Sequence, residues 1–574
     1  MIQLRLFYLF LILSSTLQAQ QVNNTTQNTT HSTIQGAINA ATANDVIKVD
    51  QGTYVEDVTI NKTLTLNGPN SGIPGNDISR AAEATIEGLL RIEADGVIVD
   101  GFDISPPNAT SNATAEAVLI ANTPDNVIFK NSIVRDFGEN GVSQYEGVEA
   151  IVAFGGNSSD AITNVEISDN LIKNIQGRNT DGGAAGIMIQ GNVNGATVID
   201  NIIQNIGMSN TAWAFGVQIT DTGNHNVDPA GIGVTNNSIN DILSNPSTTT
   251  VGVGLGLEAG AATFMNSTVN NAALVFEDKT GTADLSVINS NNTFDKGAYI
   301  ETTGTRIYST IQAAIDAANA NDVITVDAGT YPENIDVNKA LDIRGANYGI
   351  APCGSAIRSS ESIIDDANTT ITINNDNVSI DGFTINGNVA VSSANHSNIT
   401  IQNNIINADQ SGIFVAGATA PFAIKNNCIS LSTQFNSSGT TFAEIYTQGI
   451  SLNNAFGANP LIIKDNEIKD AFYGYGIYGV NTTTQTVIEG GTITGVMQGV
   501  SIFNDDGNGN VLPSNLGVEA ISMSGFTGDY PSNSDVNFHA GVYSFTSGAT
   551  TNEVTTIDID NITIDGTGKP EPNS

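Results

Sequence analysis

Residues 308–350 read YSTIQAAIDAANANDVITVDAGTYPENIDVNKALDIRGANYGI, and residues 31–73 carry the same pattern without a gap. Of the 43 aligned positions, 26 are identical. Whatever fold this chain adopts must therefore begin the same way twice. Each copy opens with a Ser and a Gln three residues on, Ser32 with Gln35 and Ser309 with Gln312, the spacing of a capping box. Apolar residues then follow at i, i+3, i+4 and i+7: Ile34, Ala37, Ile38 and Ala41, and Ile311, Ala314, Ile315 and Ala318. The spacing predicts short helices near residues 33–43 and 310–320, each with a single apolar stripe. Val323, Ile324 and Val326 next read as a strand, Gly329-Thr330-Tyr331 as a turn, and Ile335, Val337, Leu341 and Ile343 as renewed period-2 alternation.

Downstream of each copy an apolar strand anchor recurs. In the second half it falls at Ile380, Ile401, Ile424, Ile463, Ile488, Met523 and Ile559. In the first half it falls at Val99, Phe129, Ile167, Val198, Val234 and Phe264. A constant strand motif at irregular intervals is what stacked coils with looped-out turns produce. A β-sandwich would not explain two helix-first starts. A helix laid over an open first coil covers its unpaired backbone edge. The high Asn and Gly content suits tight turns and left-handed backbone positions, and stacked Asn side chains can form ladders.

This opening resembles that of the pectin-lyase-like, right-handed parallel β-helix superfamily, which includes pectin methylesterases and some polysaccharide lyases. The expected fold is all-β: a right-handed parallel β-helix solenoid in two tandem copies, each opened by a short capping α-helix. The resemblance is specific for fold and silent on activity.

Residues 1–19 hold Arg5, an apolar run and a small-residue site at Ala19. They read as a signal peptide, too short for a membrane span, and no later stretch is apolar enough to span. Residues 20–30 read as a polar tether, 31–300 as the first β-helix and 301–574 as the second. The chain ends just after a coil strand, so it is either a fragment of a longer protein or blunted by its charged, Pro-rich tail. A secreted or cell-surface monomer is expected.

The net charge of −39 makes nucleic acid and acidic membranes poor partners. It disfavours strongly anionic glycans too, unless a divalent cation bridges. Cys353 and Cys428 are the only cysteines, so one bridge is open to them and no disulfide framework exists.

Signatures of catalysis are scarce. No DFIFG-like strand and no RxPxxR element occurs. NTDG at 179–182 has no partner motif nearby and reads as a turn. Asp505 and Asp506 are adjacent, so in a strand they point to opposite faces and cannot act as a carboxylate pair. With Asn508 and Asn510 they offer oxygen ligands for Ca²⁺, although a solvated loop explains them as well. The four histidines show no zinc spacing.

Two outward columns attract attention. On the anchor strand the residue after each inward Ile gives Asp381, Gln402, Lys425, Lys464 and Glu489. Stacked lysines depress each other's pKa, one route to a general base, with Glu489 close by; the plain alternative is a solvated ladder of mixed charge. The strand after each Gly-Ile/Val step places Phe414, Tyr478, Phe503, Tyr543 and Phe545 outward, while the first half offers Leu119, Met188 and Gln218 and no aromatics. Packing of those aromatics under inserted loops is the competing explanation. The sequence thus points to a non-catalytic role in binding or adhering to a polysaccharide or cell-surface glycan through an aromatic face. The runner-up is a polysaccharide lyase or glycoside hydrolase.

Overall fold

The computed structural model describes residues 21–565 except 107–114, 139–146, 157–160, 177–182, 208–212, 222–226, 244–251, 302–303, 355–356, 435–445, 458, 504–512, 527–539 and 546–555. The chain divides into two compact units, residues 1–252 with 256–267 and residues 253–255 with 268–574.

In the first unit each coil contributes one strand to each of three parallel sheets. Asp45–Val49, Gly52–Tyr54 and Val58–Ile60 form the first coil; their partners one coil on are Leu64–Asn67, Ala84–Ile86 and Leu90–Ile92. The predicted anchors stack in register, Val99 on Phe129, then Ile167, Val198, Val234 and Phe264, and Leu66 extends the row before Val99. All of these are buried. The second unit repeats the scheme from Val323–Val326, Gly329–Tyr331 and Ile335–Val337. The architecture is the right-handed parallel β-helix expected from the resemblance, and the same hand is the rule for parallel crossovers. One anchor was misplaced. Ile488 stacks on Val518 and then Ile559, whereas Met523 belongs to the next sheet, between Ile493 and Ile564. The two strands carry the same alternation, and a long insertion upstream hides which comes first.

The helices form at Ile34–Ala40 and Ile311–Ala317 and bury the predicted stripe. Seven residues are too few for a helix to stand on propensity alone. The coil beneath holds both ends. Glu333 accepts from the Ile311 and Gln312 backbone N–H groups at 2.7 and 3.0 Å. Lys339 Nζ donates to the carbonyls of Ile315, Asp316 and Ala318 at 2.7–2.9 Å. An anion at the N-terminus and a cation at the C-terminus both match the helix dipole. In the first unit Glu56 and Lys62 make the same contacts with Ile34, Gln35, Ile38, Asn39 and Ala41.

The expected capping box does not form. Thr310 and Thr33, one residue later, are the N-caps. Gln312 instead docks on the strand below, accepting from Asp336 N–H at 2.7 Å, and Gln35 does likewise with Thr59 at 2.6 Å. The side-chain amide stands in for the missing neighbouring strand.

The segment read as a polar tether is paired from residue 22 onward. Val22–Asn24 and Thr29–His31 form an antiparallel hairpin, and Val22–Asn24 also pairs antiparallel with Asp45–Val49. Ala298–Ile300 and Arg306–Tyr308 make the equivalent hairpin on Val323–Val326. There Leu274–Asp278 pairs with Arg306–Tyr308, which draws residues 268–300 into the second unit and sets its start ahead of residue 300.

The Asn-rich turns stack too. Asn404, Asn427 and Asn466 are buried, and each side chain accepts from the backbone N–H one coil below at 3.0–3.1 Å. Asn170, Asn201 and Asn237 do the same in the first unit. The preceding residues Asn403, Asn426 and Asp465 sit in the left-handed region that Asn and Asp tolerate.

Placing a charge on the cap's buried stripe with Ile315→Asp should cost on the order of 3–5 kcal/mol. Lys339→Met, which removes three bonds, should cost about 1–3 kcal/mol. Denaturant midpoints of the full chain read both, and wild-type midpoints would rule out the anchoring role.

Candidate functional site

The charged column stacks in the order read from the sequence: Asp381, Gln402, Lys425, Lys464, Glu489. It continues through Glu519 and Asp560. Lys464 is ion-paired within it. Lys464 Nζ lies 3.1 Å from Glu489 Oε1, both side chains being exposed. That hydrogen bond to Glu489 pushes the Lys464 amine above its ordinary value, the opposite of what proton abstraction needs.

The aromatic residues occupy two columns rather than one. Phe414, Ser451, Gly476, Ser501 and Tyr543 share one register line. Phe414 and Tyr543 are thus separated by three coils. Ala416, Asn453 and Tyr478 begin the next line, which Phe503 and Phe545 continue. The cause of the misreading is local. The coil step is Gly412, Gly449, Gly474, Gly499, Gly541, and a Cβ on Gly449 would sit 2.7 Å from the Gly474 carbonyl oxygen, so the backbones nearly touch there. Strand Tyr473–Thr482 has a second glycine, Gly476, followed by Ile477, and it imitates the step two residues late. Tyr475, not Ile477, takes the inward position after the step and is buried.

Tyr478 and Phe503 stack with centroids 4.8 Å apart and planes 10° from parallel, and both are half-buried. Tyr473 meets Phe503 edge-on at 5.6 Å. Beside them, Gln448 Nε2 donates to the Tyr478 hydroxyl at 3.1 Å. Gln448 Oε1, Ser451 Oγ, Ser411 Oγ and Gln498 Nε2 are buried without a partner. Unsatisfied buried polar atoms are rare and call for an explanation. Burial drives the Tyr478 hydroxyl pKa upward, so it stays neutral and able to donate.

The first-unit column read from the sequence holds no aromatics, as expected, but other columns of the same face do. Trp213 and Phe215 head the strand Trp213–Thr220, with rings 5.9 Å apart. Leu119, Val152, Met188 and Gln218 do form one column, three residues further along. The same face stacks Glu116 directly on Glu149. Glu149 is 5% exposed, and its Oε2 has no partner. Burial first, and the Glu116 charge second, push its pKa up to about 8. Sequence reading missed this pair because the ladder skips residue 150, and residue 186 opposite it, so outward Glu149 stands two residues before inward Ile151 and not at the alternate position that a period-2 count expects. The recurring Glu-Ala step of 116–117 and 149–150 was the available signal.

Asp505, Asp506, Asn508, Asn510 and the 179–182 turn lie outside the described residues. Cys353 and Cys428 are disulfide-bonded, 5.8 Å apart at Cα. Their sulfurs approach Glu467, but neither remains as a thiolate for a metal.

No protein-family model and no curated protein matches the chain. Among solved structures, a PL6 family alginate lyase aligns at 12% identity and TM-score 0.26, covering 92% of this chain and 98% of its own. The A-module of a mannuronan C-5 epimerase from Azotobacter vinelandii aligns at 12% identity and TM-score 0.20, covering 94% and 95%. A tailspike protein of bacteriophage CBA120 aligns at 9% identity and TM-score 0.15, covering 84% of this chain and 58% of its own. Superpositions this loose carry no argument; the strand register sets the fold and the side chains must speak for function. Among the described residues no helix is long and apolar enough to cross a membrane.

Glu149 supplies a pH test. Its folded pKa of about 8 exceeds the unfolded value, so the folded chain holds a proton that the unfolded chain releases. Stability should therefore fall as pH rises from about 4.3 to about 8, then level off. The loss should be on the order of a few kcal/mol, and Glu149→Gln should flatten the profile. An unchanged slope in that variant would show that Glu149 is ionised throughout.

Proposed function

We propose that the chain is a secreted or cell-surface glycan-binding protein whose second unit holds a neutral polysaccharide on its outer face without cleaving it. The stacked Tyr478–Phe503 pair beside buried, unpartnered amide and hydroxyl groups carries this reading. Sugar rings bring apolar C–H faces to aromatic planes, and their hydroxyls both donate and accept. Gln448 Oε1 needs a donor, Gln498 Nε2 an acceptor and Ser451 either, the mixture a neutral saccharide offers.

Charge points the same way. The outer columns through Gln448, Tyr473 and Gln498, through Phe414, Ser451, Gly476, Ser501 and Tyr543, and through Asn453, Tyr478 and Phe503 contain no ionisable acid or base apart from tyrosine. On a chain of net charge −39 such a stretch is unusual. Phe545 continues it in register, and Phe414 and Tyr543 flank it. A lyase or hydrolase using Lys425, Lys464 and Glu489 is the weaker reading, since the Lys464–Glu489 ion pair holds the amine protonated.

Retention of the full chain on immobilised neutral glycans tests this. Tyr478→Ala and Phe503→Ala should each weaken retention by roughly 1–2 kcal/mol, with little salt dependence because the contact is not ionic. Lys464→Ala should change nothing. Equal retention of both aromatic variants would sink the assignment, and turnover lost in Lys464→Ala would promote the enzyme.

A further inference from the structure

The first unit presents a different outer face. Glu149 neighbours Glu116 on one side and Ala185, then Phe215, on the other. Two residues before Ala185 lies Gly183, and Trp213 covers it: a Cβ at Gly183 would fall 1.7 Å from Trp213 Cε2. Only glycine leaves room for the indole to lie there. Trp213 itself stays half-buried. Strand geometry sets the indole roughly 7 Å along the strand and one coil of about 4.8 Å from Glu149.

We infer that this face binds an ammonium-bearing saccharide, its ring laid against Trp213 and its amine between the stacked carboxyls of Glu116 and Glu149. The inference concerns a separate unit and a ligand of opposite character to the neutral glycan above. It rests on Glu149, a buried side chain whose Oε2 finds no partner, and on the seated indole beside it. Two carboxyls one coil apart repel each other, and burying one without a counterion is costly. An ammonium group would satisfy Oε2, while the apolar face of a saccharide ring further along the same saccharide chain would lie against the indole. Arg91 lies close enough to favour the charged form of Glu116, but it pairs with Glu93 and exerts no such pull on Glu149. The net charge of −39 draws cationic ligands from solution. A divalent ion fits worse. Calcium takes 6–8 oxygen ligands, and the coils beyond Glu149 offer Ala185 and Phe215 at this position.

Trp213 is the only tryptophan, so its emission reports on this face directly. The full chain is titrated with glucosamine oligomers, N-acetylglucosamine oligomers of equal length, and calcium chloride. The expected result is a saturable emission change with the free-amine oligomers and at least about tenfold weaker response, ~1.4 kcal/mol, to the acetylated ones. Glu149→Gln and Glu116→Gln should each weaken free-amine binding by a similar factor while circular dichroism stays that of wild type. Equal responses to both oligomers would overturn the ammonium assignment. A calcium response lost in Glu149→Gln would make this a metal site instead, and no response to any of the three would remove the site. None of these outcomes bears on the neutral-glycan face, which contains no tryptophan.

Discussion

A parallel coil satisfies its backbone hydrogen bonds only through the coils on either side of it. The first coil has a neighbour on one side alone, and every later coil is templated on it. Each unit meets this problem with an antiparallel hairpin on the edge of one strand and a seven-residue helix over the opening. The helix is not stable by itself. Its ends are neutralised by Glu56 and Lys62, or Glu333 and Lys339, and its Gln35 or Gln312 amide completes the ladder of the strand beneath. The cap is therefore a product of the first coil as much as its lid, which explains why helix, turn and following strands repeat together over 43 positions.

Most of this was legible because the two periods are distinct. Ile311, Ala314, Ile315 and Ala318 cannot lie on one face of a strand, and Ile335, Val337 and Ile343 cannot lie on one face of a helix. The Asn content was legible for a related reason. A turn that repeats in every coil must place a left-handed residue and then bury a polar one, and the Asn403-Asn404 and Asn426-Asn427 pairs do both. What the sequence concealed were contacts made by long polar side chains. Glu333 and Lys339 look like surface residues until the helix they hold is in place. The hairpin at residues 22–31 was hidden similarly, because antiparallel edge strands of three residues have no periodicity to read.

The candidate sites were less legible because a face depends on register, and register is lost at each irregular step. A skipped ladder position after Glu149 and a two-residue ambiguity at Gly474 and Gly476 were enough to divide one aromatic column into two and to hide a carboxyl pair. The charged column survived because the register is unbroken at its own positions, Ile401–Gln402 on Ile424–Lys425, Ile463–Lys464 and Ile488–Glu489; the irregularity in strand Thr419–Lys425 falls before them.

The two outer faces also differ in chemistry while the cores stay alike in kind. Inward positions are held to Ile, Val and Leu by packing between coils, so Ile450 and Ile187 are interchangeable in kind. Outward positions answer to no such demand. In the second unit they hold amides, hydroxyls and stacked rings with no fixed charge; in the first, at the same place in the coil, they hold Trp213 and two carboxyls. Burying Glu149 beside Glu116 costs stability that replacement by an apolar residue would recover, since the position makes no structural hydrogen bond through Oε2. The same holds for Gln448 and Gln498, whose unpartnered atoms weaken the sheet they sit on. Each of these side chains therefore leaves one buried atom that the fold does not satisfy, and it is those atoms that the proposed ligands would engage.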